Sequence, residues 1–190
     1  MKSKTTLILL FAVFFAPIVV ALLLNSQWLD WRAVPARAHG ELLQPVVPIG
    51  AFGLPDAAGQ TRTSADLTGR WQLVFTTAEA CGEDCRETLA LLHNVRLAQD
   101  RRAADAALLL ITDRVLDSAL VEQLQRSDTT WTVFDGAAGA ALRARFPDPD
   151  PRAYYIVDPE ANIIERFGPD ADLTGIRKDF DRLLTWTLRD

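Results

Sequence analysis

Hydrophobic positions fall along this chain in three regimes: one long unbroken run near the start, a proline-punctuated stretch with little periodicity, and then alternating strand-like and helix-like patterns. Leu7 through Leu24 is apolar and interrupted only by Pro17. At about 1.5 Å of rise per residue such a run, extended by Thr5 and Thr6, matches a hydrocarbon core of roughly 30 Å and predicts a membrane-spanning helix. Asn25 to Pro48, with Pro35, Pro45 and Pro48, reads as an extended tether. Ile49 to Pro55, with Gly50 and Gly53 ahead of the polar turn Asp56 to Gly59, predicts a small hairpin.

From Trp71 onward the periods alternate. Trp71 to Thr76 is apolar and β-favouring, and Asp84 to Asp100 carries Leu89, Leu92, Val95 and Ala98 at helical spacing. After a break at Arg101 to Asp105, the continuous apolar run Ala106 to Thr112 suits a strand buried on both faces of a parallel sheet. Ser118 to Arg126 predicts a helix with Leu120, Val121 and Leu124 inward, Thr130 to Phe134 a strand, and the alanine-rich Ala137 to Phe146 a helix. Pro147-Asp148-Pro149-Asp150-Pro151 ends it. Tyr154 to Asp158 and Ile163 to Phe167 form a hairpin, and Asp172 to Leu188 a closing helix whose Leu173, Ile176, Phe180, Leu183, Leu184 and Thr187 share a face. The order β-α-β-α-β-α-β-β-α is that of an α/β unit.

The apolar run is too long for a cleaved leader, and the small-x-small site Ala36-Arg37-Ala38 comes too late, so residues 1–24 are expected to stay as a single-pass anchor. Lys2 and Lys4 favour a cytoplasmic N-terminus, a bias that Arg32 and Arg37 weaken, and Trp28 and Trp31 fall where an aromatic belt sits. The bilayer is thus a partner through residues 5–24, the tether spans 25–48, and 49–190 forms one domain, facing the periplasm of a bacterial inner membrane. Beyond the anchor, 18 basic residues face 25 acidic ones, a net charge of −7 that argues against nucleic acid as a partner.

Chemistry concentrates at the two cysteines, Cys81 and Cys85, four apart at a strand-to-helix turn. Free amides at a helix N-terminus favour a thiolate there, whereas Glu83 and Asp84 oppose it. A disulfide across this spacing needs Cα atoms about 4.4–6.8 Å apart, which one turn provides, and so short a loop adds little stability through chain entropy. An exported location permits such a bond. Reversible exchange, Cu(I) binding and an inert bond remain open. Met1 is the sole methionine, which excludes a methionine-rich copper site. His93 lies eight residues past Cys85, about 12 Å along a helix, and reads as a helix-surface residue. His39 reads as a solvated tether residue. Glu160 and Glu165, like Asp105 and Asp113, read as surface acids, and neither a GxSxG nor a P-loop motif is present.

The cysteine pair after the first core strand is similar to the thioredoxin-like layout, a three-layer α/β/α sandwich. Leu73-Val74-Phe75-Thr76, the CxxxC pair Cys81/Cys85, Thr88-Leu89, Leu92, Trp131 to Gly136 and Tyr154 to Pro159 together resemble the Sco (SenC) family of membrane-anchored copper chaperones and thiol-disulfide proteins of cytochrome oxidase assembly. The tether segment His39 to Pro45 also resembles small anchored thioredoxin-like proteins of oxidase biogenesis. The resemblance implies Cys81 and Cys85 as redox and disulfide residues, an oxidase subunit or assembly factor as partner, and Cu(I) as cargo. By analogy with thioredoxin-like sites Cys81 would attack. The family's copper-ligating histidine falls at Asp150 here, a hard ligand ill suited to Cu(I). The alternatives are Sco-like copper delivery and a docking module with an inert disulfide. Pro151 resembles the cis-proline that borders such sites, an ordinary loop proline being the other reading.

Overall fold

Two strands that see no water on either face organise the molecule. All seven residues of Trp71–Thr77 (β4) and all seven of Ala106–Thr112 (β5) are buried. A strand covered on both sides needs apolar residues at every position rather than at alternate ones. Each fully buried Leu, Ile or Phe contributes roughly 1.5–3 kcal/mol relative to exposure.

The computed structural model describes residues 38–147 and 150–187, together with Val13, Phe15 and Ala16. The chain divides into two units, Met1–Arg37 and Ala38–Asp190. In the first, the three described residues are helical. The rest of the expected membrane span, with Trp28 and Trp31, lies outside the described residues. Among the described residues no helix is long and apolar enough to cross a membrane.

The second unit is built on a six-stranded mixed sheet in the order β1-β8-β7-β4-β5-β6, whose remaining members are Glu41–Pro48 (β1), Trp131–Phe134 (β6), Arg152–Val157 (β7) and Asn162–Phe167 (β8). β4, β5 and β6 run parallel, and β7, β8 and β1 follow as antiparallel neighbours. Gly53–Pro55 (β2) and Thr61–Thr63 (β3) form the separate small hairpin. The helices are Glu83–Leu97 (α1), Ser118–Ser127 (α2), Gly136–Arg143 (α3) and Leu173–Thr187 (α4).

Alternation along the strands sorts the core into two layers. Leu73, Phe75, Leu108, Leu110, Tyr154 and Ile156 pack under α1, α2 and α4. Val74, Leu109, Ile111, Tyr155 and Val157 pack with Leu142 and Phe146 on the other face. There α3 lies so close to the sheet that a Cβ on Gly139 would stand 2.0 Å from the Thr112 carbonyl oxygen. The expected α/β sandwich of thioredoxin-like type is thus present.

Three details differ from expectation. Residues 41–48, read as tether, form an edge strand paired with β8, with a register shift between Leu42 and Val47. Backbone pairing compensates for a sequence that its prolines and exposed positions make look unstructured. The alanine-rich helix stops at Arg143, ahead of Phe146. Glu165, read as a surface acid, is 1% exposed. Regular β7–β8 pairing sets Glu165 opposite Ile156, two residues from Phe167 opposite Tyr154, and so on the layer that α4 covers.

Glu165 shares that layer with a second interior carboxylate, Asp179 of α4, which is 2% exposed. Both hold the segment entering β1. The His39 amide and ring Nδ1 reach Asp179, Nδ1 at 3.2 Å, and the Gly40 amide donates to Glu165 Oε1 at 3.3 Å. Arg182 Nη1 lies 3.4 Å from Asp179. His39 packs over Gly175, where a Cβ would approach its own Cβ to 2.8 Å. His39 is therefore held against α4 through Asp179, although its ring stays exposed to solvent as the sequence suggested. Burial first, and then the adjacent Asp179 carboxylate, push the Glu165 carboxyl up to about 8.

A carboxyl raised on folding holds its extra proton between the unfolded value, 4.5, and about 8. Its contribution to stability is therefore full below that window and is lost as pH rises through it. The wild-type protein is expected to lose melting temperature between about pH 5 and 8 more steeply than Glu165→Gln, which carries no titrating group there. Parallel melting curves across that range would contradict the assignment.

Candidate functional site

β4 emerges from the sheet at Thr77, and the chain turns through Ala78 to Gly82 into α1. The turn is tied down from both sides. The Ala78 amide donates to the Pro151 carbonyl at 2.8 Å, the Glu79 amide to Thr77 Oγ1 at 3.1 Å, and Arg114 Nε to the Ala78 carbonyl at 3.2 Å. Gly82 is the N-cap of α1, and its side-chain-free position leaves the first amides of the helix without a side-chain acceptor from the cap.

Cys81 and Cys85 are joined in a disulfide with Cα atoms 5.0 Å apart. Their environments differ. Cys85 is 7% exposed and belongs to the hydrophobic layer beneath α1, whereas Cys81 is partly exposed and packs against that layer's rim. Thr77, Glu79, Ala80, Gly82, Glu83, Asp84, Cys85 and Arg152 line a cleft of about 180 Å³ at this mouth. Glu79, Glu83 and Asp84 stand in solvent, where their charge is screened.

Arg152, which the sequence reading passed over, heads β7 directly opposite Thr77. Its guanidinium lies 5.6 Å over the Phe75 ring, and Nη2 donates to Thr88 Oγ1 at 3.0 Å. The available signal was a cation opening an otherwise apolar strand immediately after Pro151.

The other candidates lie elsewhere. Asp150 pairs with Arg166. His93 Nε2 is 3.4 Å from Asp128, which also holds Arg96. His39 belongs to the Glu165–Asp179 cluster. Asp113 pairs with Arg143 at 2.6 Å, and Asp105 and Glu160 are exposed. The Asp150–Pro151 bond is trans, the one cis peptide bond among the described residues being Gln44–Pro45. Pro151 still borders the site, through its carbonyl. No group of three or more His, Cys, Asp or Glu able to hold a metal ion occurs among the described residues.

Residues 71–187 match the family model described as transmembrane-like, thioredoxin-like, C-terminal domain. The chain belongs to that family. Its fold is shared with solved Sco proteins. Copper-bound ScoI of Arabidopsis thaliana is 15% identical, with a TM-score of 0.57 over 72% of this chain and 98% of that one. Copper-bound yeast Sco1 is 20% identical, with a TM-score of 0.57 over 72% and 91%. BsSco, described as carrying a disulfide switch and as a member of a family of cytochrome c oxidase assembly proteins, is 12% identical, with a TM-score of 0.54 over 74% and 95%. No curated protein matches the chain.

In this family member, the donors offered to Cu(I) are two sulfurs held in a bond, with Asp150 engaged by a guanidinium. A soft cation prefers thiolate, thioether or imidazole. The set present does not fit a Cys₂His copper centre. What the arrangement can do chemically is open and close a disulfide whose two sulfurs differ in access.

Proposed function

We infer that this protein is a membrane-anchored thiol-disulfide exchange protein serving respiratory oxidase maturation, with residues 1–24 in the bacterial inner membrane, the N-terminus cytoplasmic and the thioredoxin-like unit in the periplasm. The observation that carries the reading is the asymmetry of the pair, a partly exposed Cys81 bonded to a mostly buried Cys85 that lines the adjoining cleft. The fold shared with Sco proteins supports the pathway, and the partner is an oxidase subunit or assembly factor.

Exchange proceeds in two displacements. A thiolate of the partner attacks Cys81 Sγ, a partner–Cys81 bond forms, the Cys81–Cys85 bond breaks and its electron pair leaves on Cys85 Sγ. The partner's second thiolate then attacks its own sulfur in the mixed disulfide and releases Cys81 as a thiolate. The partner dithiol is oxidised and the Cys81/Cys85 pair is reduced by two electrons. Run backwards, the same steps reduce a partner disulfide.

Thiol trapping in cells is expected to show the pair in both redox states, and Cys85→Ser to collect mixed disulfides through Cys81 at least about tenfold above Cys81→Ser. A permanently oxidised pair, no adducts and a silent double substitution would instead support a docking module.

Copper delivery, the activity the copper-bound relatives suggest, would have to rely on the two sulfurs alone. The reduced protein is therefore expected to surrender Cu(I) to an equimolar colorimetric chelator such as bicinchoninate. Retention of one equivalent would restore copper as the cargo.

A further inference from the structure

We propose that Arg152 is a positioning residue for the exchange reaction: its guanidinium stabilises the thiolate that Cys85 becomes when the disulfide opens, and so sets the reduction potential of the pair. The proposal rests on the exchange reading above and names a device within the same site.

The sheet register places it there. Thr77 and Arg152 are cross-strand partners at the end of the β4–β7 ladder, and the pairing continues one step further through the Ala78 amide and the Pro151 carbonyl. Phe75 and Tyr154, two residues further along the two strands, lie in the layer beneath α1, so period-two alternation puts Thr77 and Arg152 on that same face. Arg152 thereby sits under the first turns of α1, the helix that carries Cys85. Three contacts hold its surroundings in place. The guanidinium stacks 5.6 Å over Phe75, whose ring in turn stacks on Tyr154 at 5.2 Å. Nη2 donates to Thr88 Oγ1, which itself donates to the Asp84 carbonyl at 2.9 Å, in the turn that contains Cys85.

Two features mark this arginine as more than packing. Among the described residues its buried Nε meets no acceptor, and no ion pair engages its charge. A buried donor without an acceptor is unfavourable, because it has given up its water and gained nothing in return. Opening the disulfide creates a new acceptor in the same cleft, the Cys85 sulfur, and gives the charge a counter-ion. The cleft's other charges are Glu79, Glu83 and Asp84, all acidic and all exposed. They oppose a thiolate only weakly, because solvent screens them, whereas a cation shielded by Phe75 and α1 acts through a lower effective dielectric. In the first displacement the electron pair arrives on Cys85 Sγ, so a group that lowers the energy of that anion favours the reduced form.

The test is the equilibrium of the full-length protein with glutathione redox buffers, followed by thiol alkylation, for wild type, Arg152→Met, Arg152→Lys and Arg152→Gln. Removing the charge is expected to lower the equilibrium constant for reduction about tenfold, a shift of about 30 mV to more negative potential. Lysine should recover most of it, although methionine offers a comparable apolar stem. Near-UV circular dichroism reports whether Arg152→Met keeps its packing, and if it does not, the comparison of Gln with Lys carries the same information. Neutral variants within about twofold of wild type would overturn the role of Arg152 and leave exchange standing. A wild-type pair that does not equilibrate with the buffer would overturn both.

Discussion

The site depends on one strand and on what ends it. β4 is paired on both sides, parallel to β5 and antiparallel to β7, and is covered on both faces. It therefore cannot shift register without moving its whole hydrophobic set out of the core. That rigidity fixes Thr77 as the last sheet residue and throws the next few residues into a tight turn ahead of α1. Cys81 falls in the turn and Cys85 in the first turn of the helix. The difference in exposure between two cysteines four apart follows from that change of secondary structure.

The mixed direction of the sheet matters as much. A parallel neighbour on both sides of β4 would bring two strand C-terminal ends to the cysteine turn. Because β7 runs antiparallel to β4, the turn instead meets the start of β7, and with it Pro151 and Arg152. A proline carbonyl receives the Ala78 amide, and a cation reaches the underside of α1. Beyond β7 in the same sheet, β8 offers Glu165 to the segment that enters β1, and α4 adds Asp179. The acidic cluster that docks His39 and the cysteine mouth thus share one sheet face, the first holding the incoming chain and the second carrying the chemistry.

Much of this was legible in the residues. The run Ala106 to Thr112 announced a doubly covered strand, and Leu120, Val121 and Leu124 lie inward where helical spacing put them. The strand-to-helix position of Cys81 and Cys85 was equally plain. What escaped notice depends on long-range pairing. β1 carries two prolines and mostly exposed positions, and it becomes a strand only because β8, distant in sequence, supplies hydrogen-bond partners. Glu165 looked like a solvent-facing strand residue because it is charged, whereas its alternation with Phe167 and its pairing with Ile156 put it beneath α4. Arg152 was missed because the reading began its strand late, at Tyr154 rather than Arg152.

The central claim is that access separates the two sulfurs, so that an incoming thiolate bonds to Cys81 and Cys85 leaves. Exposing the oxidised wild-type protein briefly to glutathione, quenching with acid and locating the adduct by peptide mass spectrometry tests this directly. The account predicts a glutathione adduct on Cys81 with Cys85 free. An adduct on Cys85, or no adduct under conditions that open the same bond in the unfolded chain, would contradict it.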